Sequence, residues 1–105
     1  MRHLQQQGLK LLQRNYRTPG RGGGEIDLIM VESDGTLVFV EVRQRSSAFH
    51  GGATASVSVT KQRRIIFAAR YYLMQRIGSP PPCRFDVVGL DRGTIQWLRA
   101  AFDVP

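Results

Sequence analysis

Two stretches carry the strongest pattern in the chain: Gly24-Glu25-Ile26-Asp27-Leu28-Ile29-Met30 and Leu37-Val38-Phe39-Val40-Glu41-Val42-Arg43. Each is an apolar run interrupted by carboxylates, and such runs read as strands covered on both faces. A carboxylate there is costly unless it is paired or holds a metal. The pattern predicts strands over 25–31 and 36–44 with a turn at Ser33-Asp34-Gly35. Turn length decides which charges meet. A two-residue turn at Asp34-Gly35 pairs Ser33 with Thr36 and puts Asp27 across from Val42, on the face opposite Glu41. A three-residue turn with Gly35 left-handed pairs Glu32 with Thr36. Asp27 then lies across from Glu41 and Glu25 across from Arg43, all on one face with Ile29 and Phe39. The three-residue turn is the one we expect. It gathers the charges and leaves Ile26, Leu28, Met30, Val38, Val40 and Val42 as a wholly apolar opposite face.

The remaining segments fit around this pair. Residues before Gly8 read as the end of a helix with Gly8 as its C-cap. Leu9 to Thr18 reads as an edge strand, and Pro19-Gly20-Arg21-Gly22-Gly23-Gly24 as a turn. Its glycines permit conformations closed to other residues and a close approach by a phosphate backbone, although a plain hairpin loop is the simpler reading. Ser46 to Ser56 reads as a loop. Ser58 or Thr60 can cap a helix running to about Arg76. Its apolar stripe is Ile65, Ile66, Ala69, Tyr72 and Leu73, with Lys61, Arg63, Arg64, Arg70 and Arg76 largely off it. Gly78-Ser79-Pro80-Pro81-Pro82 stops that helix. Arg84 to Leu90 reads as a buried strand and Thr94 to Leu98 as a last strand, followed by a short tail. A strand, a long helix and a strand call for a crossover connection in an α/β sheet.

Composition narrows the function classes. The 105 residues suffice for a single domain, 1–105, and 42% hydrophobic content supports a real core. Fifteen basic residues against eight acidic give net +7, which favours a polyanion: nucleic acid first, an anionic membrane surface second. Solubility alone is the plain alternative. The first 24 residues hold no Asp or Glu but carry Arg2, Lys10, Arg14, Arg17 and Arg21. Such a run is commonly a solvated face, and beside carboxylates it can guide a nucleic-acid backbone. A single cysteine, Cys83, excludes an intrachain disulfide and a multi-cysteine zinc site. No apolar run of ~18 residues and no signal pattern is present, so no membrane partner and a cytoplasmic location are expected.

Asp27 and Glu41 on facing strands suit a hard cation, Mg²⁺ or Mn²⁺, which takes oxygen ligands and keeps waters for substrate phosphate oxygens. The structural alternative is pairing with Arg43, Arg45 or Arg84. Glu25 either touches the metal through water or bonds Arg43. Arg43 stays protonated, so it can hold a phosphate but cannot act as a base. Lys61 can approach the site from the helix, though an exposed helix lysine is the simpler reading; Gln62 is comparable. His50 alone in a loop is weak evidence for a base. Asp86 reads as a salt-bridge partner of a neighbouring arginine. Arg17, Arg21, Arg45, Arg63 and Gln62 are the candidate nucleic-acid contacts.

The motifs GEIDLIM, LVFVEVRQR, TKQRRI, CRFDVVG and IQWLRAAF, in this order from about Gly8 onward, resemble the YraN family of uncharacterised bacterial proteins. That family looks like the restriction-endonuclease-like superfamily with its PD-(D/E)xK signature and is similar to archaeal Holliday-junction resolvases. The resemblance implies a mixed central sheet of about four to five strands flanked by helices. It places the signature Asp on Asp27, the acid of E-x-K on Glu41 and the lysine position on Arg43. It implies metal ligation by Asp27, Glu41 and the Val42 carbonyl, and makes Lys61 and Gln62 part of a helix motif. It also implies a longer first helix bearing a glutamate, so that apolar sheet surface should stand exposed here. The implied activity is Mg²⁺-dependent cleavage of DNA, branched or linear, by a homodimer if junctions are cut. An inactive nucleic-acid-binding module and a protein-interaction subunit are the alternatives.

Overall fold

The computed structural model describes residues 2–44, 57–76, 78–91 and 93–104. The elements run α1 (Arg2–Gln6), β1 (Lys10–Arg17), β2 (Glu25–Val31), β3 (Leu37–Gln44), α2 (Val59–Met74), β4 (Cys83–Asp91) and β5 (Thr94–Phe102). The five strands form one mixed sheet in the order β1-β2-β3-β4-β5. Only β3 and β4 are parallel, and α2 lies in the connection between them. This is the α/β arrangement of a restriction-endonuclease-like core.

The β2–β3 turn has three residues. Glu32 N–H donates to Thr36 O at 2.9 Å, Gly35 has φ 92°, and the ladder pairs Leu28 with Val40 and Val31 with Leu37. Asp34 Oδ1 accepts the Thr36 N–H at 2.9 Å, which favours its ionised form and lowers its pKa. The left-handed glycine supplies the conformation that closes this turn. Gly8, with φ 97°, ends α1 as its spacing predicts.

One face of the sheet packs on α2. Ser58 accepts the Lys61 N–H at 3.1 Å and caps the helix. Ile65, Ile66, Ala68 and Ala69 bury themselves against Ile29, Phe39, Phe85 and Val87. Phe39 stacks on Phe85, whose other neighbour is Phe102. On the opposite face Leu28, Met30, Val38, Val40 and Val88 pack with Leu4 and Leu9.

Four expectations need correction. The apolar surface expected to stand exposed is covered only in part: Met30, Val38 and Val40 are fully buried beside Leu4, with His3 edge-on to the Trp97 ring, whereas Leu12, Leu90 and Ile95 of the sheet stand exposed. Ile26 was expected on the face of Leu28 and Met30 but joins the α2-side cluster with Tyr16. Pairing of β1 with β2 skips the Asn15–Asp27 position, where Asn15 takes φ 50°, and the strict alternation fails there. Strand β5 continues through Phe102 instead of ending at Leu98. A bulge carries it on: the register shifts between Phe85 and Val87, Ala100 adopts φ 49°, and its N–H donates to Asp86 Oδ1 at 2.9 Å. Lys61, finally, is drawn in from the helix surface, as described below.

Asp86 explains the bulge. It has no exposed surface and accepts from Arg84 Nε at 3.0 Å, Trp97 Nε1 at 2.9 Å and the Ala100 amide. Arg84 also pairs with Glu32 at 2.7 Å. Replacing Asp86 by Ala deprives the Trp97 and Ala100 N–H groups of their acceptor and removes one of the two acids on the Arg84 guanidinium. Breaking such a buried pair costs about 3–5 kcal/mol. Urea denaturation of Asp86→Ala should show a loss of that order, and a loss under ~1 kcal/mol would contradict this account.

Candidate metal centre

Past Leu28 and Val40 the ladder of β2 and β3 ends. There the Asp27 side chain replaces a backbone acceptor: its Oδ2 takes the Val42 N–H at 2.8 Å. The other resident of this strand end is Glu41, 4% exposed. Its carboxyl is pushed up to about 8, first by burial, then by a hydrogen bond with Asp27 and by the Asp27 charge; Lys61 and Arg43 pull it back partway. Burial and a neighbouring like charge both favour the protonated form of Glu41 near neutral pH. Glu41 Oε2 is buried and carries no hydrogen bond.

Lys61 approaches from α2. Its Nζ lies 3.5 Å from Glu41 Oε2 and 3.7 Å from Glu25 Oε1. The backbone of α2 comes close to β2 at Gly24, where a Cβ would overlap the Arg64 carbonyl oxygen and sit 3.1 Å from Ala68 Cβ. That contact lets a lysine one turn earlier reach over the sheet. Glu25 is shared between Lys61 and Arg17, whose Nε lies at 3.1 Å. Its two oxygens are thus each engaged by a cation. Arg43 follows on β3, half-buried and close enough to lower the Glu41 pKa.

A cleft of about 380 Å³ opens beside Asp27, lined also by Arg14, Asn15, Leu28 and Val42. Arg14 and Asn15 belong to the site, and the sequence reading did not single them out as site residues. The signal available was an asparagine inside a strand, since Asn tolerates the left-handed conformation it takes here. The other sequence candidates are spread out. Arg17 precedes the glycine turn and Arg21 lies within it, Arg63 is exposed on α2, and Gln62 Nε2 is turned to the Val57 carbonyl at 3.2 Å. Arg45 and His50 lie outside the described residues. Asp86 is a saturated structural carboxylate, as expected. The Cys83 thiol donates to the Pro81 carbonyl at 3.2 Å.

Two adjacent carboxyls, one with an unbonded buried oxygen, fit a hard divalent cation. Asp27 and Glu41 would hold it. Among the described residues no group of three or more His, Cys, Asp and Glu gathers. A cation held by this pair would fill its remaining positions with water, backbone carbonyl or substrate oxygens.

The proton held by Glu41 has a consequence for stability. Glu41 keeps its proton in the fold up to about 8, against an ordinary value of 4.5. Between those values the folded state binds more protons than the unfolded chain, so this group's contribution falls as pH rises. Thermal unfolding of the metal-free protein should show wild type losing ground to Glu41→Gln from about pH 5 to pH 8 and levelling above it. Parallel pH profiles for the two proteins would refute the raised Glu41 pKa.

The model of the uncharacterised protein family UPF0102 matches residues 1–90. The UPF0102 protein of Albidiferax ferrireducens is 78% identical over 103 residues, covering 98% of this chain and 80% of the relative. That of Paracidovorax citrulli is 66% identical over 101 residues, covering 96% and 74%. That of Acidovorax sp. strain JS42 is 63% identical over 101 residues, covering 96% and 76%.

Proposed function

This chain belongs to the uncharacterised protein family UPF0102, the YraN family, and we propose that it is a metal-dependent endonuclease-like protein that acts on DNA by phosphodiester hydrolysis. The observation that carries this reading is Glu41 Oε2, buried, without a hydrogen bond, beside Asp27 and 3.5 Å from Lys61. A protein does not ordinarily leave a buried carboxylate oxygen unsatisfied without a use for it.

In this reading Asp27 and Glu41 hold Mg²⁺ or Mn²⁺, with the Val42 carbonyl as a further ligand. The cation supplies charge neutralisation at the phosphoryl group and lowers the pKa of water. Asp27 stays ordered by the Val42 amide, so one ligand is fixed before any cation arrives. Lys61, drawn between Glu25 and Glu41, presents an ammonium that can stabilise charge developing on phosphorus. Arg43 occupies the position next to Glu41 where the superfamily signature has lysine; as an arginine it binds a phosphate but moves no proton. Arg14 lines the same cleft as Asp27 and is placed to meet a nucleic-acid backbone. The protein's excess positive charge draws such a polyanion to it.

A second reading is an inactive nucleic-acid-binding module of the same fold. The engagement of both Glu25 oxygens by Arg17 and Lys61 favours it, because a third acid is thereby withheld from a metal.

The test is cleavage of linear duplex and four-way-junction DNA in Mg²⁺ or Mn²⁺, run beside calorimetric titration of the metal alone. Glu41→Ala should abolish cleavage and metal uptake while leaving the circular dichroism spectrum unchanged. DNA binding with metal uptake but no cutting supports the module. Neither metal uptake nor cleavage in wild type removes the nuclease reading.

A further inference from the structure

The turn between β1 and β2 encloses a second concavity. A polar cleft of about 290 Å³ is lined by Arg17, Thr18, the glycines of Gly20–Gly24, Glu25 and Arg64. The turn is held shut at its base: Thr18 N–H donates to the Gly24 carbonyl at 3.1 Å, and Gly24 N–H to the Thr18 hydroxyl at 2.9 Å. At Gly23 a Cβ would overlap the Thr18 hydroxyl, and at Gly24 it would overlap the α2 backbone, so neither position accepts a side chain. The tip is different. Gly20 has φ 85° and Gly22 φ 70°, with Arg21 between them not left-handed, and nothing lies within 4 Å of a Cβ built at either glycine. Alternating hands of this kind turn successive amides toward one side, the geometry of an anion-binding nest. Among the described residues the Gly20, Arg21 and Gly22 amides donate to no protein acceptor.

The charges around the cleft agree with this. Arg17 is neutralised by Glu25, but Arg64 makes no ion pair among the described residues. Its Nη2 reaches only the Gly23 carbonyl, at 3.4 Å. One guanidinium thus stands over the turn without an acidic partner. Glu25 lines the cleft and shares Lys61 with Glu41, so this concavity adjoins the candidate metal centre.

We propose that the Gly20–Gly24 turn and Arg64 form a cradle for a phosphate oxyanion, separate from the Asp27–Glu41 pair. On the nucleic-acid reading given above, on which this extension rests, its occupant is a backbone phosphate neighbouring the one that faces Asp27 and Glu41. The Gly20, Arg21 and Gly22 amides donate to the phosphate oxygens and the Arg64 guanidinium closes over them. The cradle holds the strand in register without reading its bases.

Two measurements on the full chain separate this proposal from the reading beneath it. The first titrates inorganic phosphate into the metal-free protein and follows the backbone amide resonances of residues 20–24 by NMR. Saturable shifts confined to these amides in wild type, and lost in Arg64→Ala, are expected. The second measures duplex DNA binding by fluorescence anisotropy against salt, without divalent metal. Arg64→Ala should weaken binding and reduce the slope of log K against log salt by about one. Gly22→Ala, strained by its left-handed backbone though sterically free, should weaken binding with a smaller change of slope. Arg76→Ala, at the far end of α2, should bind as wild type does. Amide shifts without any DNA binding uphold the cradle and overturn the nucleic-acid reading. DNA binding equal in wild type and Arg64→Ala, with unshifted glycine amides, overturns the cradle and leaves that reading standing.

Discussion

The candidate metal centre depends on one hydrogen bond, from the Val42 amide to the Asp27 carboxylate. Two strands that have stopped pairing would ordinarily fray, each leaving amides for water to satisfy. Here a side chain takes the place of the missing backbone acceptor. The strand ends are pinned at that point, and a side-chain oxygen now occupies the opening between them. Glu41, one residue before Val42, is thereby held against Asp27. Its pKa is raised first by burial and then by that proximity, and its Oε2 is left without a hydrogen bond.

A comparison inside the same sheet shows why this pair reads as functional. Asp86 is more deeply buried than Glu41, yet its environment is complete: an arginine, an indole N–H and a backbone amide converge on it. Nothing is left for a ligand to add, and its work is to hold the bulge at Ala100. Glu41 has an acid for its nearest partner and an ammonium beyond hydrogen-bond reach at 3.5 Å. Buried polar groups are normally satisfied, and the ones that are not mark either strain or use. The difference between the two carboxylates lies in their donors, not in their depth.

The hairpin was legible in the sequence because its register is a local matter. Once Gly35 takes the left-handed position, the pairing of Glu32 with Thr36 and the approach of Asp27 to Glu41 follow by counting. The stripe of α2 was legible for the same reason, from its own periodicity. What escaped were the features set by contacts between distant segments. Strand β5 runs on past Leu98 only because Asp86 captures the Ala100 amide, a donor fourteen positions away. Ile26 changes sides although the β1–β2 register is the same on either side of Asn15, so counting along β2 alone does not place it. Arg14 lines the cleft beside Asp27, and no pattern within β1 announces it.

Lys61 is the most instructive case. By periodicity it belongs to the polar side of α2, and there is no local reason for it to face a carboxylate. Its position is set by Gly24, which has no side chain to hold the helix backbone away from β2. With the helix seated that closely, a long side chain from its first turn spans the gap to both Glu25 and Glu41. The same glycine that ends the cradle of the turn therefore brings a cation to the metal centre. This supplies what the strand itself lacks: where the superfamily signature has lysine after its acid, β3 has Arg43. Two cations of different kinds now flank one acid. The guanidinium from β3 is rigid and suited to a planar phosphate contact, and the ammonium from α2 is a compact charge on a flexible stem. On the nuclease reading proposed above, strand and helix would divide the labour, Arg43 fixing substrate oxygens and Lys61 following the charge as it moves.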